Sequence, residues 1–141
     1  MNAKLTVADY PLAEKRPELV KGRGGKPLDA ITLDAVLASE VGLDDLRVTP
    51  EALRLQAEIA RDADRATLAA NFERAAELCD VPQDFIMQVY ELLRPGRAKD
   101  KGPLLEAARV LRETYGAGRM AAFVEEAAEV YERRGLYTYR F

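Results

Sequence analysis

From Thr32 onward, apolar residues recur every three or four positions, the spacing that gives a helix one buried face. Thr32 is placed to cap a helix over Leu33–Leu37, with Asp34 in its first turn and Gly42 as its stop. Thr49-Pro50-Glu51 is a stronger start: a capping hydroxyl, proline at the first helical position, then an acid. The stripe Leu53, Ala57, Ala60, Ala63 follows, and then the register slips to Leu68, Ala69, Phe72, Ala75, Ala76, Cys79. That slip predicts a break near Asp62, with Asp64 capping a new helix. Pro82 opens a helix with Phe85, Ile86, Val89, Tyr90 and Leu93 on one face, and Pro95-Gly96 stops it. Pro103 begins the next, carrying Leu104, Leu105, Ala108, Leu111 and Tyr115 up to Gly116. A last helix is expected from about Gly118 to Arg134, burying Ala122, Phe123, Ala127, Val130 and Tyr131, with Gly135 as its stop. The ending from Leu136 to Phe141 alternates and reads as an extended piece.

Residues 1–27 break this pattern. They hold three prolines, three glycines and six Lys or Arg against three acids, so they read as an extended basic arm. The other 114 residues carry 15 basic and 21 acidic groups. The expected architecture is therefore all-α: a small helical domain of five to six helices over 28–141, preceded by the arm over 1–27. Tyr10, Leu12, Leu19 and Val20 argue that the arm lies on a partner, because a free solvated tail gains nothing from apolar side chains.

Composition narrows the chemistry. At 141 residues, 48% apolar and 32% charged, the chain has the make-up of one globular domain. Its opening residues lack an apolar signal core, and its longest apolar run, Met120 to Val124, is far too short to span a bilayer. A cytoplasmic protein is expected. Histidine is absent, cysteine occurs once (Cys79) and serine once (Ser39), which excludes an internal disulfide and any imidazole-based triad or metal site. Without a base, Cys79 reads as a small buried apolar side chain. A cobalamin loop of the Asp-x-His-x-x-Gly type also fails for want of histidine. Gly22-Arg-Gly-Gly-Lys26-Pro27 looks superficially like a phosphate loop, but Val20 stands where the first glycine belongs and Pro27 where a hydroxyl belongs. The acids Asp62/Asp64, Glu73/Glu77 and Glu125/Glu126/Glu129 read as solvated faces. A net charge of −3 offers little attraction for nucleic acid. Arg47, Arg74, Arg94 and Arg97, with Asn71 beside Arg74, are instead candidate interface donors, a role suited to the rigid guanidinium fork.

These residues also carry a resemblance. Asp9-Tyr-Pro-Leu-Ala13, Pro17-Glu18, Gly25-Lys-Pro-Leu28, Ile31-Thr-Leu33 and Val36-Leu37 come first, followed by Glu40-Val-Gly42, Asp45 and Arg47. Thr49-Pro-Glu51 leads into Leu53, Gln56, Ile59 and Ala60. The most specific stretch is Asn71-Phe72 with Arg74-Ala-Ala-Glu-Leu78 and Pro82, then Ile86, Tyr90, Leu93-Arg-Pro95 and Arg97. Ala121-Ala-Phe-Val124, Glu126-Ala127 and Tyr131 complete the series. In order and spacing they resemble the small (γ) subunit of the adenosylcobalamin-dependent diol and glycerol dehydratases, over roughly residues 8–134.

The resemblance implies a hetero-oligomer with two copies each of large, medium and small subunits, in which adenosylcobalamin lies between the large and medium subunits. The complex would be a lyase that dehydrates glycerol or propane-1,2-diol to an aldehyde by radical chemistry. This chain would supply no catalytic, cofactor-binding or metal-binding residue and would brace the large subunit, with Tyr10, Pro11, Leu12, Arg47, Asn71, Arg74, Arg94 and Arg97 as interface residues. The long N-terminal extension of some diol dehydratase small subunits is absent, so the chain looks more like the short glycerol dehydratase type, with the preferred diol and placement in a bacterial microcompartment left open. The aromatic ending Tyr137-Thr-Tyr-Arg-Phe141 also departs from the family's polar, basic one. A different class remains as the alternative: a stand-alone helical adaptor or regulator that docks its arm on another acidic protein.

Overall fold

Helix ends, set by local hydrogen bonding, divide this chain into its elements. The structure, a computed structural model, describes residues 3–138. Among them are eight α-helices: α1 (Leu12–Lys15), α2 (Leu33–Leu37), α3 (Leu43–Leu46), α4 (Pro50–Asp62), α5 (Ala66–Leu78), α6 (Gln83–Leu93), α7 (Gly102–Glu113) and α8 (Gly118–Arg133). The all-α expectation holds, and the six longer segments read from periodicity are present. The sequence pattern missed α1 and α3, each a single turn too short for a stripe to show. Single 3₁₀ turns at Val7–Asp9, Pro17–Leu19 and Leu28–Ala30 give the N-terminal region more local structure than an extended arm.

The predicted N-caps at Thr32 and Thr49 form, their hydroxyl oxygens accepting from Ala35 N and Ala52 N, each at 3.1 Å. Asp64 is not a cap. It sits just past the end of α4 in the left-handed region (φ 57°), where Asp64 N donates to Arg61 O and Arg65 N to Ala60 O. That pair of bonds is the Schellman termination, so Asp64 occupies the position glycine usually takes. The same arrangement ends α2 at Ser39 (φ 59°), ahead of the expected stop at Gly42, and ends α8 at Gly135. At α8 the second bond, Leu136 N to Tyr131 O at 2.9 Å, folds Leu136 back into a turn. The start of the tail is therefore a turn rather than a strand, and Tyr139 to Phe141 lie outside the described residues.

The chain clusters into two units, residues 1–79 and 80–141. In the first, α4 packs along α5. Ala57, Ala60 and Ala69 form the seam, with Leu68 and Phe72 beside it, and Arg61 pairs with Glu73 over its edge. The other side of α4 receives the N-terminal segment: Leu5 and Leu12 are buried against Ile59, with Leu19, Val20 and Leu55 around them. Ala63, expected in the stripe, is exposed. Cys79 is half-buried rather than buried, its thiol donating to Ala75 O.

In the second unit α7 packs along α8, and α6 against α7. The α8 face differs from the expected one. Ala121, Val124 and Ala128 are buried, whereas Ala122 and Phe123 are exposed. Small side chains are what let α8 approach α7 closely. Leu104, Ala107, Ala108 and Leu111 supply the opposing face, each apolar side chain of Leu or Val size there contributing about 1.5–3 kcal/mol by burial. Arg112 spans the pair, its two guanidinium nitrogens donating to the two Glu125 oxygens at 2.5 and 2.9 Å.

Candidate subunit interface

The N-terminal segment is tied to α4 through its backbone. Leu5 N donates to Glu58 Oε2 at 3.0 Å and Val7 N to Asp62 Oδ2 at 2.8 Å. Asp9 accepts from Thr6 N at 2.9 Å and from Arg16 at 3.1 Å, and these two bonds hold its carboxyl below the usual carboxylate range. With Leu12 buried beneath and the Tyr10–Pro11 peptide cis, the Tyr10 side chain stands out in solvent at 60% exposure, beside half-buried Pro11.

The glycine-rich stretch is a tight turn, not a phosphate cradle. Lys21 and Pro27 form an isolated bridge, Gly22 N donates to Lys26 O at 2.8 Å, and Gly25 takes φ 85°. A side chain at Gly22 would begin 2.8 Å from the Asp45 carbonyl oxygen, so the turn lies against α3 only because that residue is glycine. The Lys26 ammonium donates to Asp45 Oδ2 and to the Glu40 carbonyl, and so serves the fold.

The candidate arginines fall into separate places. Arg47 follows α3, exposed, with Asp44 at 3.5 Å. Asn71 and Arg74 share one turn of α5, where the guanidinium donates to the Asn71 carbonyl oxygen. Arg94 and Arg97 both reach Glu91 on α6, at 3.1 and 3.7 Å. Arg97 and Glu91 also line a shallow groove on α6 with Asp84, Met87, Gln88 and Leu92. Tyr10, Pro11, Leu12, Arg47, Asn71 and Arg74 belong to the first unit; Arg94 and Arg97 belong to the second.

Sequence reading overlooked a group of highly exposed leucines. Leu33 and Leu37 on α2 are 73% and 75% exposed, and Leu43 and Leu46 on α3 are 81% and 58% exposed. Val36 and Val48 are exposed beside them. The signal was present in the length of the helices: one or two turns of leucine-rich helix cannot bury their own face.

No group of three or more His, Cys, Asp or Glu side chains converges to hold a metal ion among the described residues. None of their helices is long and apolar enough to cross a membrane. The exposed leucines of α2 and α3 are the apolar surface this chain offers to another molecule.

Comparison with known proteins decides what kind. The family model for dehydratase small subunits matches residues 5–137. The chain belongs to the dehydratase small-subunit family. It is 54% identical over 128 residues to the propanediol dehydratase small subunit of Citrobacter freundii, a match spanning 91% of this chain and 74% of that one. The corresponding Salmonella typhimurium protein, also called propanediol dehydratase small subunit, is 54% identical over 128 residues, spanning 91% of this chain and 73% of its own. A dehydratase small subunit is one component of a lyase complex, so partner subunits are implied for this chain. The match includes every candidate interface residue named above, from Tyr10 to Arg97.

Proposed function

We propose that this chain is the non-catalytic structural subunit of a coenzyme B12-dependent diol dehydratase, holding the shape of a larger catalytic subunit. The observation that carries this reading is the family match over almost the whole chain, joined to a chain without histidine and with exposed leucines on α2 and α3. The relatives' name makes propane-1,2-diol, or the chemically similar glycerol, the substrate class of the assembled enzyme. Its product is the aldehyde left when water is lost.

Adenosylcobalamin belongs with the partner subunits in this reading. The residues of this chain do not fit it: no imidazole is available to approach cobalt, and carboxylates such as Glu125 and Glu73 are taken up in helix-to-helix pairs with Arg112 and Arg61. The assembly has two copies each of large, medium and small subunits and works in the cytoplasm. Tyr10, Pro11, Arg47, Asn71, Arg74, Arg94 and Arg97 contact the partner, and Leu12 fixes the Tyr10–Pro11 corner from below. Positional accuracy is what the brace supplies, since a misplacement of about 1 Å can slow a reaction roughly a hundredfold.

Co-expression with the neighbouring dehydratase chains tests this. A tagged large subunit retains the chain through size-exclusion chromatography if the reading is right. A chain that elutes alone, as a monomer, contradicts it.

A further inference from the structure

Resting on that reading, we propose that α2 and α3 form the principal docking face, and that it enters an apolar groove with a cationic rim on a partner dehydratase subunit. Six apolar side chains between Leu33 and Val48 are exposed: five on two helices of five and four residues, and Val48 just after the second. Exposed apolar surface on this scale, concentrated in one short segment, marks a protein contact rather than ordinary surface. Leu33 and Leu37 are four residues apart and Leu43 and Leu46 three apart, so each pair lies on one side of its helix.

Among the described residues, neither helix has another long helix packed along it. α2 and α3 make at most slight contact with the other elements, unlike the α4–α5 and α7–α8 pairs. Isolated helices of this length are not stable in water. The turn at Ser39, buried Val41 and the Lys26–Asp45 bond hold the segment in place without covering its leucines.

Charge selects the occupant. Within residues 28–48, Asp44 and Asp45 face Arg47 and Lys26, and Asp29, Asp34 and Glu40 add three further acids around the leucines. A second copy of the chain would set acid against acid, a costly arrangement in a desolvated contact. An anionic lipid surface would be repelled in the same way. A larger subunit with lysine or arginine around an apolar groove satisfies both the leucines and the carboxylates. The small-subunit family assignment supplies the need for such a subunit.

The test uses the co-expressed complex. Leu37→Asp with Leu43→Asp alters two highly exposed side chains, so far-UV circular dichroism and thermal midpoint stay near wild type. Recovery of the chain with the tagged large or medium subunit falls at least about tenfold. Asp29→Lys with Glu40→Lys, a pair of surface changes that keeps the apolar face, weakens binding at low salt, with the difference shrinking at high salt. Unchanged recovery of both variants, while wild type co-purifies, overturns this inference and leaves the structural-subunit reading standing. Failure of wild type to co-purify overturns the reading itself. A concentration-dependent homodimer of wild type that Leu37→Asp with Leu43→Asp dissolves makes a second copy the occupant and overturns the inference.

Discussion

Lys26 Nζ lies 2.9 Å from Asp45 Oδ2, and this bond joins the glycine-rich turn to the first turn of α3. Asp45 also accepts from Gly42 N at 3.0 Å. That backbone bond first, and the Lys26 ammonium second, hold the Asp45 carboxyl below its ordinary value. A carboxyl depressed in the folded state stabilises the fold above its unfolded pKa, and the contribution is lost as pH falls through the folded value. The tie is therefore complete at neutral pH, and it is released only in acid below the ordinary aspartate range, as pH falls through the depressed folded value. Protection of the Gly22 and Gly42 amides, measured against their intrinsic exchange rates, should fall in that acid range, and Asp45→Asn should show the reduced protection already at pH 7.

The α7–α8 seam predicts opposite outcomes for two adjacent alanines. Ala121 is fully buried and Ala122 exposed. Ala121→Leu overfills the contact and should cost about 1–3 kcal/mol, whereas Ala122→Leu should change stability by less than about 0.5 kcal/mol. Urea unfolding of the two variants side by side reads the difference.

Asp64 offers a stabilising change. Its left-handed backbone at the end of α4 is one that glycine adopts without a steric penalty. Asp64→Gly should gain up to about 1 kcal/mol, seen as a higher thermal midpoint with no loss of helix signal.

Tyr131 and Tyr137 close the end of the second unit. The Tyr131 hydroxyl donates to the Leu93 carbonyl at the end of α6, and the Tyr137 hydroxyl to the Ala128 carbonyl at 2.8 Å. Their rings meet edge-on with centroids 6.2 Å apart. Removing either hydroxyl deprives the Leu93 or Ala128 carbonyl of one donor. Tyr131→Phe and Tyr137→Phe should each cost about 1 kcal/mol in chemical unfolding.

Capping and periodicity made the long helices legible, because Thr32, Thr49 and Pro103 act within one turn of themselves. What escaped depends on contacts far along the chain. The buried face of α8 is set by Ala107 and Ala108 on α7, and a small-residue seam looks no more apolar in sequence than the Phe123 side. The N-terminal region read as extended because Pro11 and Pro17 suggest no helix. Leu12 nonetheless finds Ile59, some 47 positions later, and short turns form on that anchor. Arginine drew attention for its chemistry, while the leucines of α2 passed as one face of a helix and those of α3 formed no stripe long enough to show. Only their exposure in the folded chain separates them from Leu104 or Leu111.

The most direct measurement is aldehyde formation from propane-1,2-diol, with adenosylcobalamin added, by purified large and medium subunits titrated with this chain. Rate and operational lifetime should rise and saturate at one small subunit per large subunit, while the chain alone produces no aldehyde and takes up no cobalamin. A flat titration, or turnover or cobalamin uptake by the isolated chain, would contradict its role as a brace.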